Sequence, residues 1–125
     1  MDAGGLLARI LVVDDEPGLR FLLRHVLEKA GHEVSDAQDG GVALEAIRRS
    51  PPDLVVTDIM MPVMDGAELI RRMRADPATS GIPILAVTGD SHRAAGADAV
   101  LAKPYVPEDL VAAAKTLLTQ KRNRM

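Results

Sequence analysis

Asp14 and Asp15 follow the apolar run Ile10-Leu-Val-Val13, and Asp58 follows Leu54-Val-Val-Thr57. Thr88 follows Pro83-Ile-Leu-Ala-Val87, and Lys103 lies just past Ala99-Val-Leu101. Three of these polar residues are carboxylates. Held together, such charges repel by roughly 4 kcal/mol per pair at about 4 Å and an effective dielectric of about 20. A bound cation relieves that repulsion. Oxygen-only donors, with no His or Cys nearby and room for water, favour magnesium over zinc. Magnesium draws phosphate oxygens, and a lysine ammonium with a threonine hydroxyl completes a clamp on phosphoryl charge. One carboxylate not wholly consumed by the metal could then attack phosphorus and give an aspartyl phosphate. Taken singly, each residue reads first as a helix cap or a solvated side chain. All five, in this order, do not.

The elements that must deliver these groups are legible as alternating strands and helices. Arg9 to Val13 is a buried parallel strand, and Pro17 suits the first turn of the helix after it. Leu19, Leu22, Leu23, Val26, Leu27 and Ala30 give that helix an apolar stripe with Arg20, Arg24 and Glu28 off it, and Gly31 ends it. Glu33 to Ala37 alternates as a short strand, Asp39-Gly40-Gly41 turns, and Ala43, Leu44 and Ile47 mark a second helix. Leu54 to Thr57 is the third strand, Pro62 and Asp65-Gly66 break the chain, and Leu69, Ile70 and Met73 mark a third helix. Pro83 to Val87 and Ala99 to Leu101 are further strands. Leu110, Val111, Ala114, Leu117 and Leu118 stripe a last helix begun at Pro107, before a tail expected to fray from Lys121 to Met125. This pattern predicts an α/β fold, a parallel sheet with helices on both faces. Right-handed crossovers leave all strand C-termini on one edge, where ligands bind in such sheets. The five polar residues converge there.

Composition narrows the rest. The 125 residues suffice for one domain, expected to fill 1–125 around a core from 9 to 118. Fifteen basic against 18 acidic residues, a net charge of −3, argue against a general nucleic-acid surface. The absence of cysteine removes disulfides and thiolate chemistry. Met1 to Ala8 has neither a basic stretch nor a long apolar core, and no apolar run approaches the roughly 20 residues of a membrane span. A cytoplasmic protein without membrane contact is expected. His25, His32 and His92 show no ligand spacing, and the six methionines read as aliphatic packing.

The segments Ile10-Leu-Val-Val-Asp14-Asp15-Glu16-Pro17, Asp39-Gly40, Asp58-Ile-Met-Met-Pro62-Val-Met-Asp65-Gly66, Val87-Thr88-Gly89, Gly96-Ala-Asp98 and Lys103-Pro104 occur in series. In this the chain resembles the response-regulator receiver domain from Arg9 to about Leu118. The resemblance implies a doubly wound, flavodoxin-like sheet in strand order 2-1-3-4-5, an order taken from the family, for which a receiver protein is a standard example. It implies Asp58 as phosphoacceptor, Asp15 as direct magnesium ligand, Asp14 acting through a metal-bound water and Met60 supplying a backbone carbonyl. Thr88 and Lys103 would each hold a phosphoryl oxygen, Lys103-Pro104 would be cis, and small Gly89 would leave the group open to its donor. The implied donor is a phosphohistidine on a sensor histidine kinase or phosphotransfer protein. The domain would be no enzyme in its own right but an acceptor assisting its own phosphorylation and dephosphorylation, signalling to a further protein. A monomer or weak dimer is expected.

Two departures stand out. The aromatic that family members usually carry three residues before the site lysine is replaced by Val100. Only 15 positions separate Thr88 from Lys103, shorter than in the family by roughly two helical turns, so its fourth helix is expected to be shortened or lost. Rival readings are an aspartyl-phosphate phosphatase of the haloacid-dehalogenase type, a binding module without phosphoryl chemistry, and a receiver cut from a longer regulator. The first wants an acid two residues after its nucleophile, where Met60 stands; the second would forgo a site acid or the lysine, and all are present.

Overall fold

The computed structural model describes residues 7–61 and 64–123, apart from the side chains at 91, 122 and 123. Pro62, the first six residues and the last two lie outside the described residues. Five parallel strands, β1 (Arg9–Val13), β2 (Glu33–Ala37), β3 (Leu54–Asp58), β4 (Ile84–Thr88) and β5 (Ala99–Ala102), form one sheet in the order β2-β1-β3-β4-β5. Four α-helices are described: α1 (Pro17–Lys29), α2 (Gly40–Arg49), α3 (Gly66–Ala75) and α4 (Pro107–Asn123). Alternate strand residues point to opposite faces. Leu11, Val13, Val55, Ile84 and Ala86 pack with α2 and α3, while Ile10, Val12, Leu54, Val56, Leu85 and Val87 pack with α1 and α4. The expected fold class is the observed one. Between β4 and β5 the described residues hold only a 3₁₀ turn, Ser91–Arg93, in place of the family's fourth helix.

Several local expectations change. Asp39 and Asp65 do not simply turn the chain: their carboxylates accept from the Val42 and Glu68 amides at 2.9 Å and cap α2 and α3. Gly40 and Gly66 are therefore the first residues of helices. A Cβ on Gly66 would lie 2.2 Å from the Asp58 carbonyl oxygen, so only glycine lets α3 start against the end of β3. The α1 stripe is narrower than its periodicity suggests, with Leu23 and Leu27 buried but Leu19 and Leu22 exposed. The last helix does not fray from Lys121 but runs to Asn123. Among the described residues no helix is long and apolar enough to cross a membrane.

Candidate phosphoryl site

The sheet ladder brings the acids together. Val13 pairs with Thr57, so the residues after them, Asp14 and Asp58, leave neighbouring strands side by side. The carboxylates of Asp14, Asp15 and Asp58 offer oxygens that all lie within 4.8 Å of one another. Asp14 and Asp58 are buried and Asp15 is exposed. The donor set is oxygen alone, suited to a hard divalent cation.

The two buried acids are held by their backbone surroundings. Asp14 Oδ1 accepts from the Glu16 amide at 2.9 Å, and the Asp14 carbonyl accepts from Arg20 Nη1 at 2.8 Å. Asp58 Oδ1 accepts from the Ile59 amide at 2.7 Å and lies 3.3 Å from Lys103 Nζ. Lys103 is placed by its own amide, which donates to the Thr88 carbonyl at 3.0 Å, and by a cis bond to Pro104, as the resemblance implies.

The other expected site residues are placed less directly. The Thr88 hydroxyl faces its own loop: it accepts from the Asp90 amide at 3.0 Å and lies 3.4 Å from the Asp90 carbonyl. Met60 follows β3 and is 57% exposed. A Cβ on Gly89 would meet nothing within 4 Å, so that position borders open space. Val100 is 41% exposed on the edge strand. Tyr105, to which the sequence assigned no part, lines the cleft that Asp14, Lys103 and Pro104 also line. Burial, with the charge of Asp14, pushes its hydroxyl pKa up. His25 stacks on Phe21, and His32 Nδ1 accepts from the Ala8 amide at 3.2 Å. Arg20 was legible only as an off-stripe residue of α1; no spacing rule signals that it reaches back to Asp14.

Burial first, then the charges of Asp58 and Asp15, hold the Asp14 carboxyl above the usual carboxylate range, against the opposing Glu16 amide and Lys103 ammonium. The folded protein thus binds this proton more tightly than the unfolded chain does. Stability from this group is present below the ordinary carboxylate pKa and is lost as pH rises through the raised value. Asp14→Asn keeps an oxygen for the Glu16 amide and removes the charge. In chelator, its melting temperature at pH 7 is expected to exceed wild type by about 3 °C or more, with the gap closing towards pH 4. An equal or lower melting point at pH 7 contradicts this.

The sequence matches the model of the response regulator receiver domain over residues 10–115. The DNA-binding response regulator MtrA of Mycolicibacterium smegmatis is 38% identical over 122 residues, 92% of this chain and 52% of MtrA. The response regulator MprA of Mycobacterium sp. (strain KMS) is 44% identical over 117 residues, 88% of this chain and 50% of MprA. The chain spans about half the length of these curated relatives. A response regulator receiver domain protein (CheY-like) from Methanospirillum hungatei matches with a TM-score of 0.88 and 32% identity, over 95% of this chain and 99% of that one. Chemotaxis response regulator CheY4 of Vibrio cholerae matches with a TM-score of 0.82 and 33% identity, over 89% and 98%. Strand order, the acidic cluster with Lys103 beside Asp58, and these matches agree: the chain belongs to the response regulator receiver domain family, the receiver module of two-component signalling.

Proposed function

We propose that this receiver is a magnesium-dependent phosphoacceptor, taking a phosphoryl group from the phosphohistidine of a sensor kinase or phosphotransfer protein onto Asp58. The observation that carries this is the three-acid cluster with Lys103 Nζ 3.3 Å from Asp58. An Asp58 carboxylate oxygen forms the new O–P bond as the N–P bond of the donor breaks and its imidazole leaves with the electron pair. Asp15, Asp58 and the Met60 carbonyl would hold magnesium, with Asp14 acting through a water. When bound, the ion offsets the acids' repulsion and draws phosphoryl oxygens to the site. Lys103 stays beside Asp58 and meets the charge that arrives on phosphorus. Thr88 donates its hydroxyl to a phosphoryl oxygen after turning from Asp90. The domain is the acceptor rather than a separate enzyme, and it signals by protein–protein contact. A haloacid-dehalogenase-type hydrolase gains no support, since Met60 offers no acid beside Asp58.

A small-molecule phosphodonor with magnesium is expected to add one hydroxylamine-labile phosphoryl group. Asp15→Ala should slow uptake by roughly 100-fold or more, because even the partners of metal ligands are worth 10–100-fold. Lys103→Ala should leave magnesium bound while uncoupling phosphorylation from the conformational response. Uptake unchanged by chelation overturns the proposal.

A further inference from the structure

The peptide joining Asp14 to Asp15 is held at both ends of Asp14. The Asp14 amide extends the β1–β2 ladder by donating to the Ala37 carbonyl at 3.2 Å. On the other side, Arg20 Nη1 donates to the Asp14 carbonyl at 2.8 Å. Arg20 arrives from the start of α1, and its side chain is only 20% exposed. Its Nε lies 3.6 Å from Asp36 Oδ2, and Arg24 Nη1 lies 3.5 Å from that same oxygen. Asp36 stands on β2 opposite Val12.

This arrangement separates charge from geometry. A guanidinium is a rigid fork of donors that can serve two acceptors at once. Arg20 gives one N–H to a neutral carbonyl, while Asp36 balances its charge. The acids are therefore oriented without being neutralised, and a cation still has a full set of carboxylates to meet. Lys103 does the opposite, lying against Asp58 itself.

We infer that Arg20 is a positioning residue for the cation site: by fixing the Asp14–Asp15 peptide plane, it sets the direction in which Asp15 presents its carboxylate. This rests on the magnesium reading above. A peptide freed at its carbonyl can rotate, and the exposed Asp15 has no hydrogen-bond partner among the described contacts to restrain it.

Magnesium titration of the full chain by calorimetry, with amide spectra of Asp15 and Glu16, tests the assignment. Arg20→Met keeps the apolar stem and loses the donor; it is expected to weaken magnesium about tenfold, in the range typical of groups that orient metal ligands. Arg20→Lys can return one donor to the same carbonyl and should recover at least about half of that loss on a logarithmic scale. Arg24→Met removes a charge from the same Asp36 without touching Asp14, and its affinity should stay within about twofold of wild type. In the metal-free Arg20→Met protein the Asp15 and Glu16 amides should shift while those of β4 stay in place. Magnesium affinity unchanged in Arg20→Met, or lowered equally in Arg24→Met, overturns the inference while the magnesium reading stands. A wild type that binds no magnesium brings down that reading, and the inference with it.

Discussion

Asp58→Asn is expected to abolish phosphoryl uptake, lowering it by about 10²-fold or more to the level of the chelated protein, while the fold persists. The geometry explains why loss of function and retention of structure should go together. Asp58 Oδ1 is the oxygen that accepts from the Ile59 amide at 2.7 Å, and an asparagine carbonyl accepts that bond equally well. The residue is 6% exposed, so a near-isosteric replacement creates neither a cavity nor a clash. Only the charge and the nucleophile disappear. Removing one of three clustered charges also relieves the repulsion at Asp14, so in chelator the variant should melt no lower than wild type. Mass spectrometry after incubation with phosphodonor and magnesium reads the first outcome, and thermal denaturation the second. Equal labelling of the variant at another residue would show that Asp58 is not the acceptor.

Much of this site is legible in the amino-acid order because strands bury their length and deliver polar residues only at their ends. Asp14, Asp15, Asp58 and Thr88 each stop an apolar run, and a parallel sheet places all such stops on one edge. What stays hidden is whatever depends on a neighbour's exact distance. Gly40 and Gly66 look like chain breaks, yet they start helices because backbone from Met64 and Asp58 lies where a Cβ would go. Leu19 and Leu22 share the periodicity of Leu23 and Leu27, but periodicity does not report whether another element covers a face. They are left bordering an open cleft with Tyr105 and Pro107. Long arginines are hidden most of all. Arg20 and Arg74 look like ordinary solvated helix residues, and each reaches backbone carbonyls on other elements.

Arg74 decides how the shortened β4–β5 connection can move. From α3 its Nε donates to the Gly96 carbonyl at 3.0 Å, and Nη1 donates to the Ser80 and Ile82 carbonyls at 2.8 and 2.9 Å. Its Nη2 lies 2.7 Å from Asp98 Oδ2, which also accepts from the Ile84 amide. Ala94 is buried, and a Cβ on Gly96 would approach Ile70 Cγ2 to 2.9 Å. Residues 94–98 are thus fastened to α3, and Gly96 is no free hinge. Residues 89–93 are tied more lightly, by the Asp90 amide on the Thr88 hydroxyl and by Arg93 Nη2 at 3.1 Å from Asp65 Oδ2. If Thr88 turns towards a phosphoryl group, the Asp90 amide loses its acceptor. A fluoride-based phosphoryl mimic with magnesium is therefore expected to raise hydrogen exchange in 89–93 and leave 94–98 unchanged. Arg74→Met should extend the change through 98 and cost on the order of 1–2 kcal/mol, since it removes the guanidinium's bonds to Asp98 and to three carbonyls that water can partly replace. Sedimentation should show a monomer in both states. With a 3₁₀ turn where the family has a helix, the face beside β5 lacks much of the roughly 800 Å² per partner that a specific interface buries. A mimic-induced dimer through β5 and α4, with exchange in 89–93 unaltered, would refute this account of the switch.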